Sequence, residues 1–280
     1  MPPARALSPR SRRRPSTVLL VLGGGLLALL AAMAVAPGLF TDADPRDCDL
    51  SRSVGPPSWA HPFGFDLFGC DYLARTVHGA RASLLLAVAV VLGAGLLAVV
   101  LGTVAGYAGG LLDTVVSRIT DVWSGIPIVL GGLVLLSATR ERGLLQVIVV
   151  LTLFSWPPMV RLVRTSTQQT RELDFVTAAR ALGAGPLRVV RRHVLPHAVR
   201  PLVVFASGYA GVLISSEAIL TYAGVGLQRP VESWGIQLQQ AQERVTLAPH
   251  LLVFPSLFLV AAVLAFVLLG EGLRRRPVER

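Results

Sequence analysis

Six apolar runs divide the chain, at 17–40, 83–106, 115–138, 144–160, 202–220 and 251–269. At about 1.5 Å of rise per residue, helices of these lengths cross a hydrocarbon core of about 30 Å. Lipid offers the backbone no hydrogen-bond partners, so a chain written this way has to fold as a helix bundle. The expected fold is an all-α membrane protein with six transmembrane helices. Composition points the same way, with 53% hydrophobic and only 15% charged residues. The first run exceeds the usual apolar core of a signal peptide, about 7 to 15 residues, and is read as a retained span.

The segments between the runs divide into two kinds. The stretch 41–82 holds Asp42, Asp44, Asp47, Asp49, Asp66 and Asp71 among prolines and glycines, and 223–249 is similarly polar, so both read as aqueous loops. The third run is expected to bend at Pro127, and its amphipathic lead-in carries Asp113, Arg118 and Asp121. Helical spacing predicts an ion pair between Arg118 and Asp121. Arg140, Glu141 and Arg142 make a tight turn, and Pro157 and Pro158 fall near the end of the fourth run. The expected organisation is a basic terminus 1–16, a first span 17–40, a loop 41–82, a five-helix core 83–272 and a tail 273–280.

All 26 basic residues are arginine, and their distribution sets the orientation. With the N-terminus inside, the inner segments collect five arginines before the first run, Arg118, eight from Arg161 to Arg200 and four in the tail, against eight outside. The positive-inside rule therefore places both termini in the cytoplasm. The formal charge of +10 is on this reading an address rather than a nucleic-acid footprint. Without lysine the chain has no Walker A loop of its own and no Schiff-base nucleophile. Nor does it show a paired nucleophile and base, so it reads as a non-catalytic subunit without a bound cofactor.

Between the fourth and fifth spans lies the polar segment 161–201. Within it Asp174 is placed to cap a helix over 175–182, Gly183 and Gly185 to allow a reversal at positive φ, and Pro186 to open a second short helix. A Cβ at Gly183 is expected to crowd the turn. The result is a helix-turn-helix lever on the cytoplasmic face.

This segment, DFVTAARALGAGPLRVVRRHVLPHAVRP, resembles the EAA-type coupling loop of ABC importer permeases, with Ala178, Ala179, Gly183, His193, Leu195 and Pro196 in register. Segments 61–84 (HPFGFDLFGCDYLARTVHGARASL), 106–127 (GYAGGLLDTVVSRITDVWSGIP) and 216–235 (SEAILTYAGVGLQRPVESWG) are similar to the dipeptide/oligopeptide/nickel permease family, in the second subunit of the pair. The resemblance implies a permease that builds a peptide path with a homologous second permease. It also implies an extracytoplasmic solute-binding protein and two cytoplasmic ATPase subunits, which hold the ATP and magnesium. Asp174, Thr177, Ala178, Ala179, Gly183, Ala184, Leu195 and Pro196 would couple to the ATPase. Arg180, Arg188, Arg191 and Arg192 would meet acidic ATPase surface or anionic headgroups. Nickel or another small solute is the alternative cargo, and an ATP-independent secondary transporter or structural subunit is the alternative class.

The chain departs from the family where that pattern reads G-T-D-x-x-G-R-D: Phe65 replaces the Thr and Cys70 the Arg, while His197 replaces an Asn after Leu-Pro. Cys48 and Cys70 are the two cysteines, both in the outer loop, where they either bridge or stay as free thiols. Glu217 is the one acid deep in an apolar run, a candidate for the translocation path or for a hydrogen bond between helices. His193 and His197 stand four apart, but Pro196 intervenes and no third ligand is near, so no metal is expected. Gly23, Gly24 and Gly25 suggest close helix packing.

Overall fold

The longest helix takes its start from a cap. In the computed structural model, which describes residues 14–139 and 142–275, helix α2 spans Tyr72–Ala108. Asp71 accepts a hydrogen bond from the Ala74 amide at 2.8 Å, satisfying a free N–H of the first turn. The helix thus begins well before its apolar run. Along it Ala94, Ala98, Gly102 and Gly106 recur every fourth residue and are buried. They form a stripe of small side chains facing α5, Leu144–Arg171. A Cβ on Gly102 would lie 2.9 Å from the Val160 carbonyl, and one on Gly106 2.7 Å from that of Arg164. Close backbone approach replaces the hydrophobic drive that lipid removes.

Among the described residues, five helices are long and apolar enough to cross a membrane, and a sharply bent pair passes the same test only when its two helices are counted as one. They are α1 (Arg14–Val35), α2, α5, the stretch that ends in α8 (Leu195–Tyr222), and α10 (His250–Arg274). The third predicted span is a pair, α3 (Gly110–Ser124) and α4 (Ile128–Ser137), bent by 78°. Ile126 and Pro127 stand in the break, and proline supplies no N–H to continue the helix. The expected Arg118–Asp121 pair does not form: Asp121 bonds Arg161 at 3.1 Å, and Asp113 bonds Arg164 at 2.7 Å, both on α5. Helical spacing allowed the local pair, but α5 brings guanidinium groups to both acids.

Helix α1 packs along α10, and a Cβ on Gly23 would sit 2.7 Å from the Leu269 backbone nitrogen. Gly24 and Gly25 face open space, so close packing belongs to Gly23 alone. The segment expected as a loop at 223–249 contains a helix, α9 (Trp234–Ala241), capped by Ser233. Trp234, Ile236 and Gln237 are buried, and α9 plugs the end of the bundle against α2, α8 and α10. Residues 1–13 of the expected basic terminus, most of the tail, and Arg140 with Glu141 lie outside the described residues.

Candidate functional site

Two polar assemblies occupy opposite ends of the bundle. The first is the lever. Helix α6 spans Asp174–Ala181 and α7 spans Pro186–Val189, followed by a π-helical turn, Val190–Val194, that leads into α8. Leu173, not Asp174, is the N-cap, and no side chain caps α6. The reversal is closed by the Ala184 amide on the Ala179 carbonyl at 3.1 Å and the Gly183 amide on Arg180 at 2.9 Å. Such 6→1 and 5→2 bonds define a Schellman ending, which needs a left-handed residue. Gly183 supplies it at φ +83°, whereas Gly185 lies at −64°. A Cβ on Gly183 would meet nothing within 4 Å, so the constraint is backbone handedness, not crowding.

The lever has a small core of its own. Val176, Val189 and Val194 are buried together against Tyr107 and Ala184. Arg180 lies over the Tyr107 ring at 5.3 Å, and Arg171 donates to the carbonyls of Gly106 and Tyr107 at 2.9 and 3.2 Å. A cation on the last carbonyls of α2 also suits the negative end of that helix. Hence the lever is fastened to α2 as well as to its covalent neighbours α5 and α8. Asp174, Thr177, Ala178 and Pro196 are exposed, and Ala179, Ala184 and Leu195 are half-buried. Sequence reasoning missed Leu182 and Leu187, which stand 89% and 70% exposed on either side of the turn. Two leucines left bare beside a glycine turn are the signal that could have found them. His193 and His197 hold no metal geometry: the Nδ1 of His197 lies 2.8 Å from the His193 carbonyl, and both rings face Phe175.

The second assembly caps the other end. Cys48 and Cys70 are joined by a disulfide, which ties the loop before α2 to itself. Arg75, one per cent exposed, is held between Asp66 and Glu232, with Glu232 at 2.7 Å. Gln237 of α9 donates to the Arg75 carbonyl at 2.8 Å and accepts from the Thr76 hydroxyl at 3.2 Å. Three separate stretches, the disulfide loop, α2 and the 229–241 segment, therefore share one buried guanidinium.

Glu217 is fully buried on α8 beneath α9. Its Oε1 accepts from Thr221 at 2.8 Å and from Ser233 at 3.5 Å, while Thr221 also takes the Leu227 amide at 3.0 Å. Gly235 must lack a Cβ because one would lie 2.9 Å from the carboxylate. Such contacts fasten α8 to the returning chain. Among the described residues, no group of three or more His, Cys, Asp or Glu could hold a metal ion.

One prediction follows from the disulfide. A 22-residue separation closed by a cross-link is worth about 3 kcal/mol in the chain-entropy account. Cys48→Ser with Cys70→Ser is expected to raise amide exchange across 42–71 about a hundredfold while leaving α5 and α8 protected. Hydrogen-exchange mass spectrometry in detergent checks it.

Residues 98–277 match the model of the binding-protein-dependent transport system inner membrane component family. The glutathione transport system permease protein GsiD of Pectobacterium atrosepticum is 36% identical over 255 residues, 91% of this chain and 84% of the relative. The oligopeptide transport system permease protein OppC of Bacillus subtilis is 32% identical over 259 residues, 92% of this chain and 85% of the relative. A putative peptide permease of Brucella ovis is 36% identical over 275 residues, 98% and 89% of the two chains. The solved MetNI methionine ABC transporter contains a chain of similar fold, with a TM-score of 0.57 at 24% identity, covering 70% of this chain and 93% of that one.

Proposed function

The chain belongs to the family of inner membrane components of binding-protein-dependent transport systems, and from that premise we propose that it forms half of a peptide-conducting path. It is an ABC importer permease, a multi-pass protein of the bacterial plasma membrane. Peptides are the cargo that the relatives' names favour. The observation that carries the mechanical part is the lever: a short helix pair with its own core, bare leucines at its tip and direct ties to α2, α5 and α8. On this reading the lever faces the cytoplasm and its tip docks in a groove of an ATPase subunit.

Leu182 and Leu187 would enter that groove, with Asp174, Thr177, Ala178, Ala179, Gly183 and Ala184 shaping the contact. Leu195 and Pro196 would carry the motion into α8. Because Arg180 holds the lever, and Arg171 the end of α5, to the end of α2, ATP-driven movement would tilt α2 along with α5 and α8 as one body. This chain would bind no nucleotide and catalyse nothing; ATP and magnesium belong to its partners. Those partners are a homologous second permease, two ATPase subunits and an extracytoplasmic binding protein. Glu217, hydrogen-bonded within its own chain, would serve packing rather than contact cargo.

Purification in mild detergent tests the assignment. A second permease, two ATPase subunits and ATP-dependent peptide uptake after reconstitution are the expected result. Uptake that follows an ion gradient, with no ATPase retained, would overturn it.

A further inference from the structure

At the disulfide end lies a cavity of about 920 Å³. One wall is a single face of α2, on which Arg75, His78, Arg81 and Leu85 follow at helical spacing. Arg46, next to the disulfide, and Arg229, on the return from α8, complete the basic lining. Among the described residues two acids also line it: buried Arg75 neutralises Glu232, whereas Asp44 is exposed and keeps its charge. Asp44 accepts the Arg46 backbone amide at 2.8 Å, and Glu232 holds Arg75 at 2.7 Å.

The cations are not all engaged. Among the described residues, the side chains of Arg46 and Arg81 are exposed and have no hydrogen-bond or ion-pair partner within the protein, so an anion can reach them. Arg229 rests on the Phe68 ring at 4.0 Å and donates to Gln240 at 3.4 Å. Its basicity is lowered, first by burial and then by the positive charge of Arg75. An anion entering here would relieve that repulsion. Leu85, Leu144 and Val231 give the same cavity an apolar wall. Guanidinium groups without partners beside an apolar wall suit a small solute that carries a carboxylate next to an apolar side chain.

We propose that this cavity receives the C-terminal carboxylate of the transported peptide, with Arg81 and Arg46 as its anion-binding groups and Leu85, Leu144 and Val231 against the last side chain. The proposal rests on the peptide reading above and deepens it. It makes the end of the bundle that bears the disulfide a receiving site that selects for a free C-terminus.

The test uses the intact transporter with its binding protein and ATPases in proteoliposomes. Uptake of Ala-Ala-Ala as the free acid is compared with uptake of its C-terminal amide. Arg81→Gln is expected to raise KM for the free acid about tenfold, in line with loss of one charge-assisted hydrogen bond, and to leave KM for the amide unchanged. Arg46→Gln should act in the same sense. The binding protein's own preference cancels, because it is the same in wild type and variant. An equal loss for both peptides would assign the arginines to lipid headgroups or packing and overturn the proposal. No change for either would overturn it too, while the peptide reading stands. A wild-type complex that moves neither peptide would remove both.

Discussion

Arg75→Leu is expected to cost about 3–5 kcal/mol of stability. Arg75 and Asp66 are 1% and 3% exposed as side chains, so removing the guanidinium strands a carboxylate where water cannot reach it. Glu232, at 27% exposure, can turn to solvent and suffers less. The asymmetry gives a double-mutant test. Arg75→Leu combined with Asp66→Asn should recover part of the loss, because asparagine keeps an acceptor for the Phe68 and Cys70 amides, each at 2.8 Å from Asp66, while removing the widowed charge. Denaturation midpoints of the detergent-solubilised protein, with amide exchange in 42–71 and 229–241, measure both. Single and double variants of equal stability would show that the charge pair is not what holds the three stretches together.

Much of the bundle was legible because lipid imposes a rule that sequence has to obey. A run such as 83–106 can be nothing but a helix, and the glycine and proline break in the third run announces itself at Pro127. What could not be read were contacts between distant polar residues. Gln237 looks like a loop residue until α2 supplies the Arg75 carbonyl and the Thr76 hydroxyl, 162 and 161 positions away. Helix α9 therefore looks like loop in the sequence: its glutamines fit an aqueous segment, and only tertiary partners make their burial favourable. Asp121 pairs with Arg118 on local spacing alone for the same reason. Local spacing is visible in a sequence, whereas the competing Arg161 on α5 is not. At the lever the motif located the turn, but its physical cause was misread. Open space around Gly183 shows that φ, not volume, is what the position demands.

That distinction makes a pair of substitutions at Gly183 informative. A β-branched side chain at φ +83° is a steric outlier, and left-handed backbone costs an ordinary L-residue about 1–2 kcal/mol. Gly183→Val should therefore unwind the Schellman ending, misplace Leu182 and Leu187, and cut ATP-coupled uptake about tenfold. The spans should remain inserted, since the lever's core of Val176, Val189 and Val194 does not touch the turn glycine. Gly183→Asn places a larger group in the same open space, yet asparagine tolerates the left-handed region. It should retain most of the uptake. If both variants fail alike, the position is closed by the surface of a docked ATPase. If both transport normally, the turn is not the part that moves the bundle. Only loss with valine and retention with asparagine would tie coupling to the handedness of one residue, and ATP hydrolysis measured beside uptake would show whether the valine lever slips or fails to dock.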